Sequence, residues 1–466
     1  MTDSAVPFLG AAEIASKVRS RELSAREVTD AVLGRIERLN PVINAWAVID
    51  AEGARAQAER IDAEIARGND PGVLAGVPLG VKDLEDAAGF RTGYGSALHL
   101  NDAPASVDSV QVARLRAAGC VVLGKTTTSE FGYSGDTVTP GWGATLNPWN
   151  TKRSSGGSSG GSGAALAAGM TVLATGSDAG GSIRIPAALC GLTALKTTHG
   201  VVPLGQGLAP SGGTLTVRGP MGRRACDTAA ALAVVAGPHP TDPFSLPPLG
   251  LDGIVRPTLP ERIVWAPSPG FAVDSEVAAV CASLVARLAE AGTEVIEVDS
   301  IYDPEPIGDW FTLWAIYRER AHGHLRDTSS WELFDEGLRA LMDHGAQNVS
   351  AKAAMAALDA IHVHAAKVAA VLDRAPFLVT PTVAGQTAVS GHHGTVNGEP
   401  TIFWAPFTQA ANLTRHPAGS VCVGLTADGM PVGIQVTGAH AADAALLDVL
   451  ACIEGLVGTP TWPVEA

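Results

Sequence analysis

Apolar residues near the start of the chain recur with the spacing of helices. Ser24 followed by Glu27 matches a capping box, and apolar residues then recur near helical spacing from Val28 to Leu39. Asn40-Pro41 is expected to stop this first run. Residues 50–67, rich in Ala, Glu and Arg, predict a second helix.

Beyond residue 68, short runs of β-branched residues alternate with amphipathic helical stretches. The predicted strands are residues 121–123, 171–174, 263–265, 295–298, 377–380 and 432–436. Amphipathic stretches such as 107–118 and 274–291 lie between them, and Asp428-Gly429 marks a hairpin turn. This alternation predicts an α/β fold built around a largely buried sheet.

Composition agrees with a globular protein that buries a substantial core. Of the 466 residues, 46% are hydrophobic and only 17% are charged. The net charge of −15 argues against a surface that binds nucleic-acid phosphates, and it leaves a small neutral substrate open.

Cysteine usage and the first residues bear on localisation. The six cysteines are scattered without a C-x-x-C pair, which is typical of reduced thiols in a cytosolic protein. The first ten residues lack the basic and apolar segments of a signal peptide, and no stretch approaches 18 uninterrupted apolar residues. We therefore expect a soluble, cytoplasmic protein that does not bind a membrane.

Three segments carry the candidate chemistry. They are residues 175–188 (TGSDAGGSIRIPAA), 154–165 (SSGGSSGGSGAA) and 76–83 (GVPLGVKD). Because Gly180 and Gly181 lack a Cβ, their backbone N–H groups can turn toward a small anion, and Ser182 follows them directly. A nucleophile beside an array of backbone N–H groups is the arrangement that acyl transfer requires.

In their order and approximate spacing, these segments resemble the amidase signature family, whose catalytic set is Ser–cis-Ser–Lys. The resemblance assigns Ser182 as nucleophile, Ser158 as bridging serine and Lys82 as base, with 24 residues (182 − 158) between the serines. It also implies a cis peptide bond between Gly157 and Ser158. Apolar residues 77–81 are expected to carry Lys82 into the interior, where desolvation lowers the pKa of its amine toward neutrality.

Further site residues follow from the resemblance alone. Backbone contacts to the oxyanion or substrate are assigned to Gly132, Ala179, Gly180 and Gly181, and supporting roles to Ser159, Asp178 and Arg184. Neither a metal nor another cofactor is expected.

Domain organisation can be interpreted in two ways. Residues 237–260 hold seven prolines and by composition are a candidate linker between domains. The resemblance instead implies one large α/β domain with a mixed, twisted β-sheet covered by helices on both faces. Residues 1–68 would then be a helical segment packed on a core of residues 69–466, in which residues 301–374 form a variable helical pocket region.

Two other motif matches point to other functions, and the local sequence argues against both. Residues 119–126 (GCVVLGKT) fit the Walker A pattern, but their apolar middle predicts a strand, and a strand cannot wrap a phosphate. Residues 156–160 fit G-x-S-x-G, but the polar segment before them does not predict the strand that a nucleophile elbow needs. The histidine pairs have the wrong spacing for a metal site.

The predicted function is hydrolysis of a carbonyl–nitrogen bond in a small-molecule amide, aryl amide or carbamate through an acyl-enzyme. Aromatic residues of the variable regions favour an apolar or aryl substrate, although core packing explains each one singly as well. These are Tyr133, Trp142, Trp310, Trp314, Phe403 and Trp404. A glutaminase subunit of a tRNA-dependent amidotransferase, a Ser-His-Asp hydrolase and a non-catalytic binding protein stay open as alternatives, as does a homodimer.

The chain also departs from the family pattern. Ser155 stands where proline is usual, residues 196–198 read Lys-Thr-Thr in place of Lys-Pro-Thr, and Arg415 stands where glycine is typical. None of these positions belongs to the catalytic set. Arg415 is expected to alter the pocket, which leaves the particular substrate open.

Overall fold

The computed structural model describes residues 6–205, 210–458, 460, 462 and 463. The helices are α1 (Ala11–Arg19), α2 (Ala25–Ile43), α3 (Ala51–Ala66), α4 (Val110–Ala117), α5 (Gly160–Ala167), α6 (Arg184–Cys190), α7 (Ala225–Val235), α8 (Ser275–Glu290), α9 (Ile307–His322), α10 (Glu336–Asn348), α11 (Ala351–Leu372), α12 (Gln409–Leu413) and α13 (Asp443–Val457). The strands are β1 (Trp46–Ile49), β2 (Pro78–Lys82), β3 (Val121–Thr126), β4 (Val138–Thr139), β5 (Gly143–Ala144), β6 (Leu146–Asn147), β7 (Asn150–Ser154), β8 (Leu173–Asp178), β9 (Ala194–Lys196), β10 (Val217–Met221), β11 (Arg262–Trp265), β12 (Glu294–Glu297), β13 (Phe377–Pro381), β14 (Thr395–Val396), β15 (Glu399–Pro400), β16 (Ala418–Leu425) and β17 (Pro431–Gly438).

Two mixed sheets form the centre of the molecule. The first has the order β1-β3-β2-β8-β10, with β3, β2 and β8 parallel and the outer strands antiparallel. The second has the order β12-β11-β13-β17-β16-β9, and β9 lies beside β10, so the two sheets adjoin at their edges. Helices α6, α8 and α13 pack against β16 and β17. The predicted α/β class with a mixed, helix-covered sheet is confirmed.

The N-terminal region differs from its prediction in two places. The capping box of Ser24 and Glu27 is present, but α2 continues past Pro41 and ends at Asn44, whose backbone is left-handed (φ 55°). Residues 46–49, predicted within a helical region, form β1 and pair antiparallel with β3. A four-residue strand is too short to show a period, and only its pairing with β3 defines it.

Farther along the chain, the predicted strands correspond to β3, β8, β11, β12, β13 and β17, and the Asp428-Gly429 turn joins β16 to β17. β8 is longer than predicted because its pairing with β10 runs on through residues 175–178 of the TGSD motif. The segment that resembles Walker A is indeed a strand, and Lys125 within it pairs with Asp83 at 3.2 Å.

One apolar core joins the N-terminal helices to the first sheet. Ile14 of α1 and Val28 of α2 belong to the same buried cluster as Leu79 of β2 and Leu123 of β3. Residues 237–260 contain no helix or strand, and Leu246 in that segment hydrogen-bonds to the carbonyl of Gly200. The proposed division at residue 68 stays a prediction.

Helix α11 is long and apolar enough to cross a membrane by length and composition, although its apolar residues do not form one uninterrupted run. Such a match is weak support for a span, because a core helix of a soluble protein passes the same test. In the molecule α11 packs on α9, where His364 of α11 lies 2.9 Å from Asp309.

Candidate active site

Lys82 is the last residue of β2, in the middle of the first sheet. Its side chain is only 1% exposed, and its Nζ lies 2.8 Å from Ser158 Oγ, 2.7 Å from Ser159 Oγ and 3.0 Å from Ser177 Oγ. The strand therefore places the amine among three hydroxyl groups. Ser158 and Ser159 were predicted to lie here, whereas Ser177 was not singled out although it belongs to the TGSD motif.

Burial lowers the pKa of the Lys82 amine from 10.5 to about 7, and the attraction of Asp178 and Glu85 only partly opposes this effect. A neutral amine has two hydrogens to donate and one lone pair to accept a proton. The three hydroxyl partners equal the number of hydrogen bonds that a neutral amine can make. The geometry and the pKa together suit Lys82 to accept a proton near neutral pH.

Ser158 lies in the loop between β7 and α5, and its peptide bond with Gly157 is cis, as the resemblance implied. This glycine-rich loop is tightly packed. A Cβ on Gly157 would lie within 2.8 Å of the backbone of Asp136, so no larger residue fits there. The serine–glycine run is therefore a buried structural loop and not a flexible linker.

Ser182 lies in the turn between β8 and α6, and its carbonyl accepts a hydrogen bond from the N–H of Ser159 at 3.3 Å. This contact ties the nucleophile candidate to the serine loop. Among the hydrogen bonds of the described residues, none joins Ser158 Oγ to Ser182 Oγ. Catalytic hydrogen bonds of this kind are often formed only when substrate is bound.

The backbone before Ser182 is held by its carbonyl groups. Those of residues 178, 179, 180 and 181 accept hydrogen bonds from Asn412 Nδ2 (2.9 Å), Trp310 Nε1 (2.7 Å), Thr408 Oγ1 (2.6 Å) and the N–H of Ile185 (2.7 Å). In a trans peptide the N–H points opposite to the carbonyl, so each anchored carbonyl also fixes the direction of the next N–H. No sequence motif pointed to the roles of Thr408 and Asn412.

One of the expected oxyanion donors is engaged elsewhere. The N–H of Gly181 donates to Asp178 Oδ1 at 2.7 Å, so in this geometry it does not face a substrate. The reason is that the buried Asp178 carboxylate caps the turn itself and also accepts from the N–H of Ile183. The N–H groups of Ala179, Gly180 and Ser182 remain as candidate donors.

Asp178 and Arg184 form a buried pair behind this turn. Arg184 Nη2 lies 2.9 Å from Asp178 Oδ1 and both side chains are fully buried. Burial alone would raise the pKa of the Asp178 carboxyl, but Arg184 and backbone N–H groups hold that pKa well below its usual range. Arg184 also donates to Gln435 and Asn412, so the pair links the turn to the second sheet and α12.

Gly132 approaches the site from another direction. It ends a short turn (Glu130–Gly132) in which both Phe131 (φ 46°) and Gly132 (φ 71°) have left-handed backbones. A Cβ on Gly132 would lie 3.2 Å from Ser158 Oγ. The backbone of this turn therefore borders the space above the serine.

These elements surround a cavity of about 710 Å³. Lys82, Gly132, Ser158, Ala179 and Ser182 all line it, so the structure brings the three triad candidates and two of the predicted backbone contacts to one cavity. Gly180 lies behind the lining, where its missing Cβ leaves room for the Trp310 ring 2.4 Å from the Cβ position.

Comparison with known proteins decides the family. The amidase family model matches residues 27–447. The chain is a member of the amidase signature family. An acylamidase of Rhodococcus erythropolis is 34% identical, and the match covers 98% of this chain and 97% of the relative. A 6-aminohexanoate-cyclic-dimer hydrolase of Paenarthrobacter ureafaciens is also 34% identical, over 95% of this chain and 93% of the relative.

The similar proteins also include an amidotransferase subunit and an enzyme of known structure. A glutamyl-tRNA(Gln) amidotransferase subunit of a Synechococcus strain is 34% identical, and the match covers 93% of each chain. The crystal structure of a bacterial aryl acylamidase of the amidase signature family superposes with a TM-score of 0.87, at 28% identity and 96% coverage of each chain. The protein is thus an amidase signature enzyme that hydrolyses amide carbon–nitrogen bonds.

The aromatic lining of this amidase differs from the one predicted. Of the six aromatic residues proposed, Trp314 lines the cavity, and Trp310 stacks behind it with ring centroids 5.3 Å apart. Trp142 instead donates its indole N–H to Asp83. The lining also includes Tyr94 and Phe131, to which no sequence motif pointed.

Arg415 does not have the role expected of it. It is not among the residues found to line the cavity. Its backbone is left-handed, with a φ of 64°, the conformation that glycine adopts most easily. A left-handed backbone at this position accounts for the glycine that is usual there.

Proposed function

We propose that this amidase hydrolyses small-molecule amides through a Lys82–Ser158–Ser182 triad. The observation that carries the proposal is the 2.8 Å contact between the buried Lys82 Nζ and Ser158 Oγ, with Ser182 lining the same cavity. An amine with a pKa of about 7 can act as a base at physiological pH.

In this mechanism neutral Lys82 takes the proton of Ser158, and Ser158 takes the proton of Ser182. Ser182 Oγ then attacks the amide carbonyl, and a tetrahedral intermediate forms. The proton held on Lys82 returns through Ser158 to the amine, which leaves as the carbon–nitrogen bond breaks. Water, deprotonated by the same relay, attacks the acyl-enzyme and releases the acid and Ser182.

The negative charge on the carbonyl oxygen is stabilised by backbone N–H groups of Ala179, Gly180 and Ser182. Donors that are already oriented cost no rearrangement when charge develops, and this is commonly the largest catalytic contribution. Support comes from the anchored carbonyls, which fix this backbone before substrate binds. Gly132 contributes its backbone to the opposite side of the substrate.

For the substrate we propose an aryl amide or an aryl carbamate. A cavity of about 710 Å³ has room for an aromatic ring and an acyl chain, and its lining includes Trp314, Tyr94 and Phe131. The similarity to an acylamidase and to a structurally determined aryl acylamidase supports the same class. We further propose that the enzyme acts in the cytoplasm on its own, without a cofactor.

The test is a panel of 4-nitroanilides, aryl carbamates and primary amides, assayed with the wild type and Ser182→Ala. Ser182-dependent release of 4-nitroaniline is expected, and a fluorophosphonate probe should label Ser182. Labelling of Ser158 or Ser159 instead would contradict the assignment. If the protein hydrolysed glutamine but no member of this panel, and did so only with added partner subunits, the amidotransferase alternative would be favoured.

A histidine-dependent mechanism is tested in the same assay. His99 lines the cavity and lies 2.7 Å from Asp102 Oδ2, which makes it the best candidate for a Ser-His-Asp arrangement. No hydrogen bond to a serine side chain is found for it within the described residues. His99→Ala is therefore expected to keep the chemical step, and loss of activity equal to that of Ser182→Ala would overturn the triad.

A further inference from the structure

One wall of the cavity is strongly basic. The last turn of α9 and the residues that follow it contribute Arg318, Arg320, His322 and His324 to the lining. The apolar aryl substrate expected from the sequence does not account for this concentration of guanidinium and imidazole groups. Their contacts show which of them are already satisfied within the protein.

Arg318 is a buried cation held in one orientation. Its side chain is 2% exposed, and its Nη1 donates to the carbonyl of Phe131 at 2.7 Å and to Ser211 Oγ at 2.9 Å. The guanidinium also lies 3.8 Å from the ring centroid of Trp314. Its Nε is buried without any hydrogen-bond partner, and in the described part of the chain no carboxylate lies within 4 Å of it.

His322 also has a buried nitrogen without a hydrogen-bond partner. Its Nε2 is buried without a hydrogen-bond partner, while its ring packs 4.1 Å from that of Phe131. Burial, followed by the repulsion of Arg318, lowers the pKa of His322 to about 4, so the imidazole is neutral at physiological pH. Among the buried, unpartnered polar atoms of the described residues, those of Arg318 and His322 belong to the lining of this cavity.

The acidic residues of the cavity do not compensate Arg318. Glu85 accepts from Ser109 (2.8 Å) and Gln111 (3.1 Å) and pairs with Arg218 at 3.5 Å. Asp86 accepts from Thr92 Oγ1 at 2.7 Å. A buried charge without a counter-charge costs free energy that a bound anion would recover.

We propose that Arg318 and His322 bind a carboxylate of the substrate, so that the enzyme selects amides carrying an anionic group remote from the scissile bond. This inference rests on the proposed function, because the carboxylate would occupy the cavity that holds Ser182. A planar carboxylate suits the guanidinium fork, and a neutral imidazole can donate the second hydrogen bond. Arg318 is thus a specificity-determining residue and takes no part in bond cleavage.

The experiment compares two matched pairs of amides. For the acyl side, the mono-4-nitroanilide of glutaric acid is compared with its methyl ester. For the leaving-group side, 4-acetamidobenzoate is compared with methyl 4-acetamidobenzoate. The wild type is expected to prefer the carboxylate by about tenfold or more in kcat/KM for one of the pairs, as a charged hydrogen bond in a desolvated site warrants.

Substitution of Arg318 separates charge recognition from structure. Arg318→Met also removes the contact to Phe131, so both members of a pair can slow, but the ratio between them should fall to about one. Arg318→Lys should keep part of the preference, and Arg67→Met, an exposed control, should keep all of it. Equal rates for the wild type on both members of each pair, or an unchanged ratio in Arg318→Met, would overturn the proposal.

A binding measurement keeps the outcome independent of turnover. In Ser182→Ala, titration calorimetry with 4-acetamidobenzoate and its methyl ester, and with the two glutaric anilides, should show tighter binding of a carboxylate. Adding Arg318→Met should abolish the difference. If Ser182-dependent hydrolysis is absent but the carboxylate still binds more tightly than its ester, the proposed function alone is refuted. Equal binding of acid and ester in both pairs would refute the inference.

Discussion

The indole Nε1 of Trp310 lies 2.7 Å from the carbonyl oxygen of Ala179. The same indole ring occupies the position next to Gly180 where a side chain would otherwise be. One tryptophan of α9 therefore both orients the peptide before the proposed oxyanion donors and requires a glycine among them. Helix α9, which lies in the region predicted to be variable, is in this way coupled to the backbone of the TGSDAGGS motif.

Gly180→Ala should therefore impair catalysis more than folding. A Cβ at this position would lie 2.4 Å from the Trp310 ring, and relief requires movement of the ring or of the backbone that carries the donors. We expect kcat to fall by about 100-fold, as when an oxyanion donor is lost. The control is Gly308→Ala in α9, where a Cβ meets no atom within 4 Å and activity should be unchanged. Wild-type kcat in Gly180→Ala would show that this backbone does not bind the oxyanion.

The rate should depend on pH through Lys82. Because the base must be neutral and the pKa of its amine is about 7, kcat/KM is expected to fall about tenfold per pH unit well below pH 7 and to level off above it. Lys82→Met should lose several orders of magnitude in kcat, since a relay acts as a unit. A pH profile that is flat from pH 5 to 9 is incompatible with this role.

The same shift predicts a dependence of stability on pH. Between pH values of about 7 and 10.5 the unfolded chain holds a proton on Lys82 that the folded protein does not hold, so stability rises with pH in this window. Lys82→Met should reduce that rise by more than about 1 kcal/mol, measured by denaturant unfolding at pH 7 and pH 10. Burial also lowers the pKa of Lys196 to about 7, so Lys196 should account for the part of the rise that is left in Lys82→Met.

Ser158→Ala should discriminate between leaving groups. Without the bridge, the proton of Lys82 cannot reach a departing amine, and amide turnover is expected to fall by about 1000-fold or more. A phenyl ester with the same acyl group should lose less, because phenoxide leaves without a proton. Ser159→Ala provides the matched control, because Ser159 also contacts Lys82 Nζ but has no assigned part in the relay. Equal losses on ester and amide would argue against proton delivery by Ser158.

Arg415→Gly should stabilise the protein slightly. The left-handed backbone of Arg415 carries strain that glycine removes, partly offset by the larger entropy that glycine has in the unfolded chain. We expect a gain of about 0.5 kcal/mol in the free energy of unfolding with kcat unchanged. Arg415→Ala keeps the strained backbone without the side chain and should not gain. A loss in both variants would indicate that the Arg415 side chain is the stabilising element.

Short-range sequence patterns were sufficient for several parts of this fold. The capping box of α2 and the strand predicted at residues 121–123 depend on neighbours within a few positions. Both are present, and the strand extends to Thr126. β1 was missed because its four residues become a strand only by pairing with β3, and its spacing carries no signal. Pro41 does not end α2, which continues to Ile43 and is terminated by the left-handed backbone of Asn44.

In the candidate site, too, some features follow from neighbouring residues in the sequence and others only from long-range contacts. Glycines and serines of one motif identify the turn before Ser182, but the partners that orient it, Thr408 and Asn412, lie more than 200 residues away. The competition for the Gly181 N–H by Asp178 also needs three-dimensional geometry to be seen. Likewise, Arg318 and His322 belong to no motif, and only the buried, unpartnered Nε of Arg318 and Nε2 of His322 make them conspicuous.

The reaction centre and the basic wall of the cavity come from two separate stretches of chain. Residues 82 to 182 supply the proposed triad and the N–H donors, whereas the basic wall comes from the end of α9 and the residues after it. Such modularity allows substrate range to diverge, in evolution or by grafting, without rebuilding the reaction centre. Trp310 limits that freedom, because any transplanted helix must also reproduce its indole contact with Ala179.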